Sequence, residues 1–367
     1  MQTYFLPLPE HDILYDTFKN INSIASGKIT STTSLAIGVS GTVIWYDHHE
    51  DGFDPNIGLP SQSSTGIWGD NNAANGCAPH VDPCTDAADY LTAGDIILLE
   101  NEVDPDRDPT LENLFDGGDR LQASKSIAVN RGQYPETPGS LLAGAIEVLD
   151  TTKWGKYFEV PVGEDWIPPG DSNTYKSPFQ YTGVYVMSGF DGTSVTIDPN
   201  DGSTPETHTL NAGQSVDARV CVGATITSHN YNVQVDVLAG DWYSTYEMRW
   251  YSLLSVNRWS NEYLSPVGDL ASRTRAVIYN PGPGALDISY QEGPHESPQS
   301  LHIPEGQLKQ TNVLGDNKGT YFQGGYNFIV FQVVDTVADE EIFDWGFPVQ
   351  PISDLTPQVL IGWGYVR

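Results

Sequence analysis

The chain is built from short runs in which apolar and polar residues alternate, broken by turns that contain glycine. Three such pairs of runs are alike: "LAIGVSGTVIWYD" at 35–47, "VYVMSGFDGTSVTID" at 184–198 and "AVIYNPGPGALDISY" at 276–290. Alternation with period two, interrupted by a glycine turn, is typical of a β-hairpin. The pattern therefore predicts antiparallel strands along most of the chain.

Each hairpin is framed by phrases that also recur. "TYFLPLP" at 3–9, "KYFEVPVG" at 156–163 and "EYLSPVG" at 262–268 precede the three hairpins. "LTAGDII", "LNAGQSV" and "IPEGQL" follow them. The units close on "GAIEVLDTTKWGKYFEVPVG" at 144–163, "WYSLLSVNRWSNEYLSPVG" at 250–268 and "WGFPVQPISDLTPQVLIGWG" at 345–364, so the closing phrase of one unit contains the opening phrase of the next. An internal period of this kind indicates tandem modules. The predicted boundaries are 1–156, 157–262 and 263–367.

The number of strands in each module, and the lack of a helix to cover them, indicate the fold class. Each contains roughly six to eight short strands in about 100 residues, and no clear amphipathic helix is available to cover a sheet. Two antiparallel sheets packed face to face satisfy that pattern. We predict an all-β protein of three tandem antiparallel β-sandwich modules. Trp154 and Trp259 fall at equivalent positions, where Leu355 stands in the third module, and are predicted to pack in the core or between modules.

The first module differs from the others by two long insertions. The separation of its two turn glycines, Gly41 and Gly94, is more than twice the equivalent separation in the second and third modules. We therefore predict long loops at 48–90 and 98–120. Long loops on a rigid β scaffold are common places for binding.

Both loops are rich in carboxylates. Calcium takes six to eight oxygen ligands in flexible geometry, so acidic residues in irregular backbone suit it. The predicted metal ligands are Asp47, Glu50, Asp51, Asp54, Asp104, Asp106, Asp116 and Asp119. The alternative interpretation is that these loops form a solvated acidic surface without an ion.

The first loop also carries the residues predicted to contact a ligand. These are His48, His49, Trp68 and Asp70. His48, His49 and His80 suggest a different hypothesis, a zinc or iron hydrolase. Neighbouring residues on a strand point to opposite faces, so His48 and His49 share a metal only if the chain turns there. Signatures of other enzymes, such as a nucleophile elbow or a phosphate-binding loop, are absent from the sequence, and we predict no enzymatic activity.

The composition restricts the classes of binding partner and the cellular location that we expect for the protein. The formal net charge of −31 repels nucleic acid and anionic membrane surfaces. No apolar run is long enough for a membrane helix, so we predict no direct membrane insertion.

Cys77 and Cys84, close together in one loop, are predicted to form a disulfide, and Cys221 is predicted to be a buried free thiol. A disulfide favours an extracellular location, secreted or on the cell surface. Because the N-terminus lacks a signal peptide, the chain is expected to be a mature piece of a longer exported protein.

Several phrases together resemble the N-terminal domain of the IgG Fc-binding protein family. They are "YFLPLPEHDIL", "TVIWYDHHEDG", "LTAGDIILLENEV", "DGGDRLQASKSIAVNR", "LLAGAIEVLDTTKWGKYFEVPVG", "RWYSLLSVNRWSNEYLSPVG" and "LTPQVLIGWG", in this order along the chain. The resemblance implies an extracellular adhesion or binding role in a microbial surface or secreted protein, and it implies no catalytic residues. Immunoglobulin binding itself does not transfer with a likeness of this kind.

The sequence thus predicts an extracellular binding segment that recognises a glycan or a protein on another surface through the loops of module 1, with calcium as a possible bound ion. The alternative is a structural subunit of an extracellular filament or surface layer, in which copies of the chain pair through exposed strand edges. A metal-dependent hydrolase is the third hypothesis.

Overall fold

The structure, a computed structural model, describes residues 1–8, 29–47, 65–68, 87–103, 117–135, 144–167, 179–240, 249–266, 274–315, 317–334 and 346–356. The predicted all-β class is confirmed, since strands account for 55% of the described residues and none of the helices among them reaches seven residues. The short 3-10 helices in this part are Ala87–Asp89, Thr151–Lys153, Val256–Arg258 and Ile352–Asp354.

Twenty-three strands follow one another within the described ranges. The first eight are β1 (Gln2–Phe5), β2 (Ile29–Ile37), β3 (Ile44–Asp47), β4 (Thr65–Trp68), β5 (Ile96–Val103), β6 (Arg120–Ala123), β7 (Ile127–Pro135) and β8 (Gly144–Glu147). The next eight are β9 (Tyr157–Glu159), β10 (Tyr181–Ser188), β11 (Thr193–Asp198), β12 (Glu206–Leu210), β13 (Ser215–Arg219), β14 (Thr225–Ser228), β15 (Val233–Gly240) and β16 (Arg249–Ser252). The last seven are β17 (Ser260–Ser265), β18 (Arg275–Tyr279), β19 (Leu286–Glu292), β20 (Gln299–Ile303), β21 (Leu308–Gln310), β22 (Thr320–Val333) and β23 (Gly346–Pro348).

The described strands form five antiparallel sheets. Four sheets have four strands each, in a propeller-like arrangement, and the fifth is a seven-stranded near-barrel. This corrects the expectation of three separate sandwiches. The physical reason lies in β22, whose 14 residues pair with β17 and β19 along one part and with β18 and β23 along the other, so both halves of the last sheet share one strand.

The order of pairing recurs along the chain. The orders β1-β6-β3-β4 and β12-β11-β14-β9 match, and so do β5-β2-β7-β8 and β13-β10-β15-β16. In the last third, β17-β22-β19-β20 and β21-β18-β22-β23 follow the same scheme. We refer to the strands β1–β8, β9–β16 and β17–β23 as units 1, 2 and 3.

The hydrophobic cores do not end where the units end. Unit 1 has its own cluster around Leu35, Ile44 and Val129. The largest cluster belongs to unit 2 but also includes Val277 and Phe331 of unit 3. Tyr251 of β16 lies 4.3 Å from Phe331, measured between ring centroids. Units 2 and 3 therefore share a core.

The two equivalent tryptophans are buried, as predicted. Trp154 packs with Phe5 and Met187 between units 1 and 2, and Trp259 packs in the shared core of units 2 and 3. Each indole Nε1 donates a hydrogen bond to the carbonyl five residues earlier, at 2.9 Å to Leu149 and 3.0 Å to Leu254. Both therefore serve packing between units.

The strands that close the units lie against one another. β16 packs against both β8 and β23. A Cβ atom added to Gly144 of β8 would come within 2.4 Å of the Trp250 ring, and one added to Gly346 of β23 would come within 2.7 Å of the Phe331 ring. Only glycine allows these approaches.

The insertions of unit 1 are shorter than predicted. β5 continues through Val103, so strand replaces the first six residues of the loop predicted at 98–120. β4 lies inside the loop predicted at 48–90 and pairs with β3. Glu100 and Glu102 of β5 are exposed and Asn101 between them is buried, which a strand accommodates because its successive side chains point to opposite faces.

Candidate binding site at the loop end of unit 1

The strand register brings the ends of several segments of unit 1 together. β2 and β3 are joined by the short turn 38–43, so the start of β2 and the end of β3 lie at one end of the unit. Ile29 pairs with Val103 and Pro135, and Asp47 pairs with Arg120 and Thr65. We call this the loop end, because segments 9–28, 48–64, 104–116 and 136–143 all leave or rejoin the strands there.

Most of the predicted metal ligands belong to segments attached at the loop end. Asp47 ends β3 and Asp119 precedes β6. Glu50, Asp51 and Asp54 follow Asp47, while Asp104, Asp106 and Asp116 lie between Val103 and Arg120; these six are outside the described residues. The topology therefore attaches both acidic segments to one end of one unit.

The predicted ligand-binding residues are divided between two ends. His48 and His49 follow Asp47 at the loop end and lie outside the described residues. Trp68 pairs with Ile44, at the opposite end of the β3–β4 ladder. Asp70, His80, Cys77 and Cys84 come after Trp68 and are also outside the described residues, so the disulfide stays a prediction.

Asp119 is enclosed by the protein and is not part of a solvated loop. Its side chain is buried, and the Tyr46 hydroxyl donates a hydrogen bond of 2.7 Å to its Oδ2 atom. Its backbone carbonyl also accepts from Leu6 at 2.9 Å. Asp119 thus anchors the loop end to the interior, and its calcium role stays a prediction.

The interior of unit 1 becomes polar toward the loop end. Arg131 of β7 is fully buried and donates to Thr33 Oγ1 at 3.0 Å and to the Leu8 carbonyl at 3.2 Å. One row further along, Ser31 pairs with Asn101 on one side and Gln133 on the other. All of these side chains are buried. The equivalent positions of unit 2 are mostly apolar: Thr182, Val184, Val220, Val237 and Ala239.

The sequence interpretation missed this polar interior. Alignment of the repeats would have revealed it, because Arg131 and Gln133 of unit 1 align with apolar positions of β15 in unit 2. A buried cation and two buried amides therefore lie together at this end of unit 1.

A concavity lies where the units meet. It is a cleft of about 300 Å³ whose lining includes Tyr4, Glu147, Arg258 and Asp354. Arg258 Nη2 donates to Asp354 Oδ2 at 2.9 Å. Burial raises the pKa of the Glu147 carboxyl, and the Arg258 charge acts in the opposite direction. The charged groups of this cleft therefore bridge the segments that close the units.

Cys221 is a free thiol, as predicted, but it is only partly buried. Burial raises its pKa to about 11, and the neighbouring Asp165 and Glu164 charges add to the effect. The thiol is therefore protonated at neutral pH and unsuited to nucleophilic catalysis.

Within the described ranges, no group of three or more histidine, cysteine, aspartate or glutamate side chains is placed to hold a metal ion. No helix in the same part of the chain has the length and apolar character to cross a membrane. No protein-family profile matches the sequence, and no curated protein matches it either.

Proposed function

We propose that the chain is an extracellular, non-enzymatic binding segment that recognises a glycan or protein partner through the loop end of unit 1. The observation that carries this proposal is the strand register, which attaches both acidic insertions to one end of a single unit. Units 2 and 3 share a core and interlock with unit 1, so they supply a rigid scaffold for that end. Loops on a rigid scaffold are suited to recognition.

The finer architecture belongs to the same proposal. The threefold recurrence of strand order supports a derivation from three tandem antiparallel β-sandwich modules, the third of which has fused its two sheets through β22. The phrases in the sequence support kinship with the N-terminal domain of the IgG Fc-binding protein family. That kinship in turn supports a role at a microbial cell surface or in a secreted protein.

We further propose that the acidic segments bind calcium. An ion bound only by the folded protein stabilises it, by about 2.7 kcal/mol when free calcium is one hundred times the dissociation constant.

Mass spectrometry of protein purified without chelator is expected to detect bound calcium, and the protein is expected to melt several degrees lower after EDTA treatment. Asp51→Ala with Asp54→Ala is expected to abolish the EDTA effect and to weaken binding to surface glycans or proteins. Asp287→Ala and Glu296→Ala, in exposed positions of unit 3, are the matched control. A chelated protein that melts like the untreated one contradicts the calcium site.

The alternative, a subunit of a filament or surface layer, is favoured by β5, which is an edge strand of its sheet among the described strands. Ile96 and Leu98 are 42% and 45% exposed on this edge strand, whereas unit 2 has Ser215 and Asp217 at the equivalent positions. Apolar edge strands are templates for pairing with another chain.

The alternative predicts self-association that depends on β5. Sedimentation of the wild-type protein at increasing concentration would show growing oligomers, and Leu98→Lys would keep the protein monomeric. If wild type stays monomeric at every concentration, the binding role stands alone.

A further inference from the structure

The cleft where the units meet has the dimensions of a small-molecule site. Its volume of about 300 Å³ lies at the lower end of the range of about 300–1,000 Å³ for ligand pockets, so it suits a small ligand. Val129 and Val148 of unit 1 and Leu254 of unit 2 line it, and all three are buried. The surface that a ligand can reach in the cleft is therefore mostly polar.

Two carboxylates of unit 1 line the cleft with acceptors to spare. Asp150 is 8% exposed, and its Oδ1 atom accepts from the Thr152 backbone N–H at 2.9 Å and from the Thr152 hydroxyl. No described residue donates a hydrogen bond to Asp150 Oδ2 or to the Glu147 carboxylate. Burial raises the pKa of the Tyr4 hydroxyl, and the charges of Asp150 and Glu147 raise it further, so both carboxylates lie near that hydroxyl.

The cleft also contains donors without an acceptor. Lys153, on the 3-10 helix that follows β8, forms no side-chain hydrogen bond or ion pair with any residue that the structure describes. Gln2 uses its Oε1 atom to accept from the Ile127 backbone N–H at 3.1 Å, while its Nε2 group donates to no described residue. Arg258 differs, because its charge is offset by Asp354 at 2.9 Å.

This combination of unpaired groups indicates the class of ligand. Lys153 and the two carboxylates line one cleft without forming an ion pair with one another. A molecule that carries both an ammonium and a carboxylate group satisfies both sides through charge-assisted hydrogen bonds. A cation alone leaves Lys153 unpaired, and the net charge of −31 disfavours an anion alone. A metal ion is not indicated, since no group of three metal-ligating side chains is assembled within the described ranges.

We propose that the cleft binds a small zwitterion, an α-amino acid, whose ammonium group donates to Glu147 and Asp150 and whose carboxylate accepts from Lys153 and Gln2. The closing segments of units 2 and 3 complete the wall of the cleft. The site is separate from the loop end of unit 1, and it does not depend on the binding role proposed for that end.

Calorimetric titration of the full chain with glycine, L-alanine and L-leucine tests the site. Wild type is expected to bind at least one of them, and its melting temperature is expected to rise with the concentration of that amino acid. Glu147→Gln and Lys153→Gln are each expected to weaken binding by about tenfold or more, as for the loss of a hydrogen bond to a charged group. Both side chains are exposed, so the melting temperature without ligand is expected to stay close to that of wild type.

Two further probes and two control variants separate a zwitterion site from a general effect of charge. n-Propylammonium and propionate carry the two charges on separate molecules, and each is expected to bind wild type much more weakly than the amino acid does. Glu206→Gln and Lys309→Gln change exposed charges of units 2 and 3 that do not line the cleft. These two variants are expected to bind the amino acid as wild type does.

Three results would overturn the site: no binding of any of the three amino acids, unchanged affinity in both cleft variants, or equal affinity for n-propylammonium and the amino acid. The last comparison uses wild type only, so it holds even if a variant fails to fold. The protein with Asp51→Ala and Asp54→Ala is expected to bind amino acids normally, which distinguishes this site from the loop end.

Discussion

Asp236→Asn is expected to make the protein about 4 kcal/mol more stable than wild type at pH 8 and to leave its stability nearly unchanged at pH 4. Asp236 of β15 is fully buried, and this burial raises the pKa of its carboxyl to about 7. Hydrogen bonds from Ser252 and Gln234 favour the charged form but do not offset the loss of hydration. Asparagine has nearly the same shape and carries no charge at any pH.

The sign of the pH dependence follows from proton binding. The folded protein keeps the Asp236 proton up to about pH 7, whereas the carboxyl of the unfolded chain loses it near the ordinary value of 3.8. Between these values the folded state binds more protons, so this contribution to stability is present below pH 4 and is lost as the pH rises through 7. Urea unfolding of both proteins between pH 4 and pH 8 measures the difference. The other carboxylates of this acidic chain affect both proteins alike, and parallel pH profiles would contradict the prediction.

Protonation of Asp236 also affects the contact between units 1 and 2. The Ser252 hydroxyl lies 2.6 Å from Asp236 Oδ1 and 3.0 Å from the Glu147 carbonyl of unit 1. Its single proton can serve only one of these acceptors. When Asp236 is protonated it can donate to Ser252, which then donates to Glu147, so both hydrogen bonds are satisfied.

Trp259→Ala is expected to destabilise the protein by about 3–5 kcal/mol, the usual cost of removing a large buried aromatic side chain. Trp259 is 4% exposed and meets Tyr279 edge to ring at 6.1 Å between centroids. Its Nε1 atom also donates to the Leu254 carbonyl. The substitution therefore leaves a cavity in the shared core and an acceptor without its donor.

Chemical denaturation followed by fluorescence and circular dichroism measures this effect. Leu264→Ala is a suitable control, because that side chain is 45% exposed and its removal is expected to cost less than about 1 kcal/mol. Trp259→Phe keeps much of the volume and should fall between the two. Since units 2 and 3 share the core, both are expected to unfold in one transition; a loss confined to one of them would contradict the shared core.

Much of the fold was visible in the sequence because exposure alternates with period two. β11, for example, reads TSVTID with buried and partly exposed residues in strict alternation, and the turn glycines Gly41, Gly192 and Gly284 have the positive φ angles that favour glycine. The fusion of two sheets through β22 was not predictable. Gly324 and Gly325 have the composition of a turn, yet tertiary pairing carries the strand through them.

The candidate site was predictable only in part. Runs of acidic residues in long loops stand out in any sequence, so the loops were identified. Asn101 and Gln133 instead look like solvent-facing strand residues, since a one-residue change of register reverses which residues face inward. Asp119 lay in a segment read as loop, and its burial together with the hydrogen bond from Tyr46 identifies it as interior. The pairing of strands that are far apart in the sequence shows which of these residues face the interior, and the local pattern does not.

The packing of β16 between β8 and β23 restricts how such a chain can change over evolutionary time. Deleting or duplicating one unit would bring together surfaces that were never fitted, such as the Trp250 ring and a residue other than Gly144. Gene rearrangements that are tolerated in arrays of independent domains are therefore expected to destabilise this fold. The packing of the closing strands therefore constrains the number of units more strongly than a flexible linker between independent domains would.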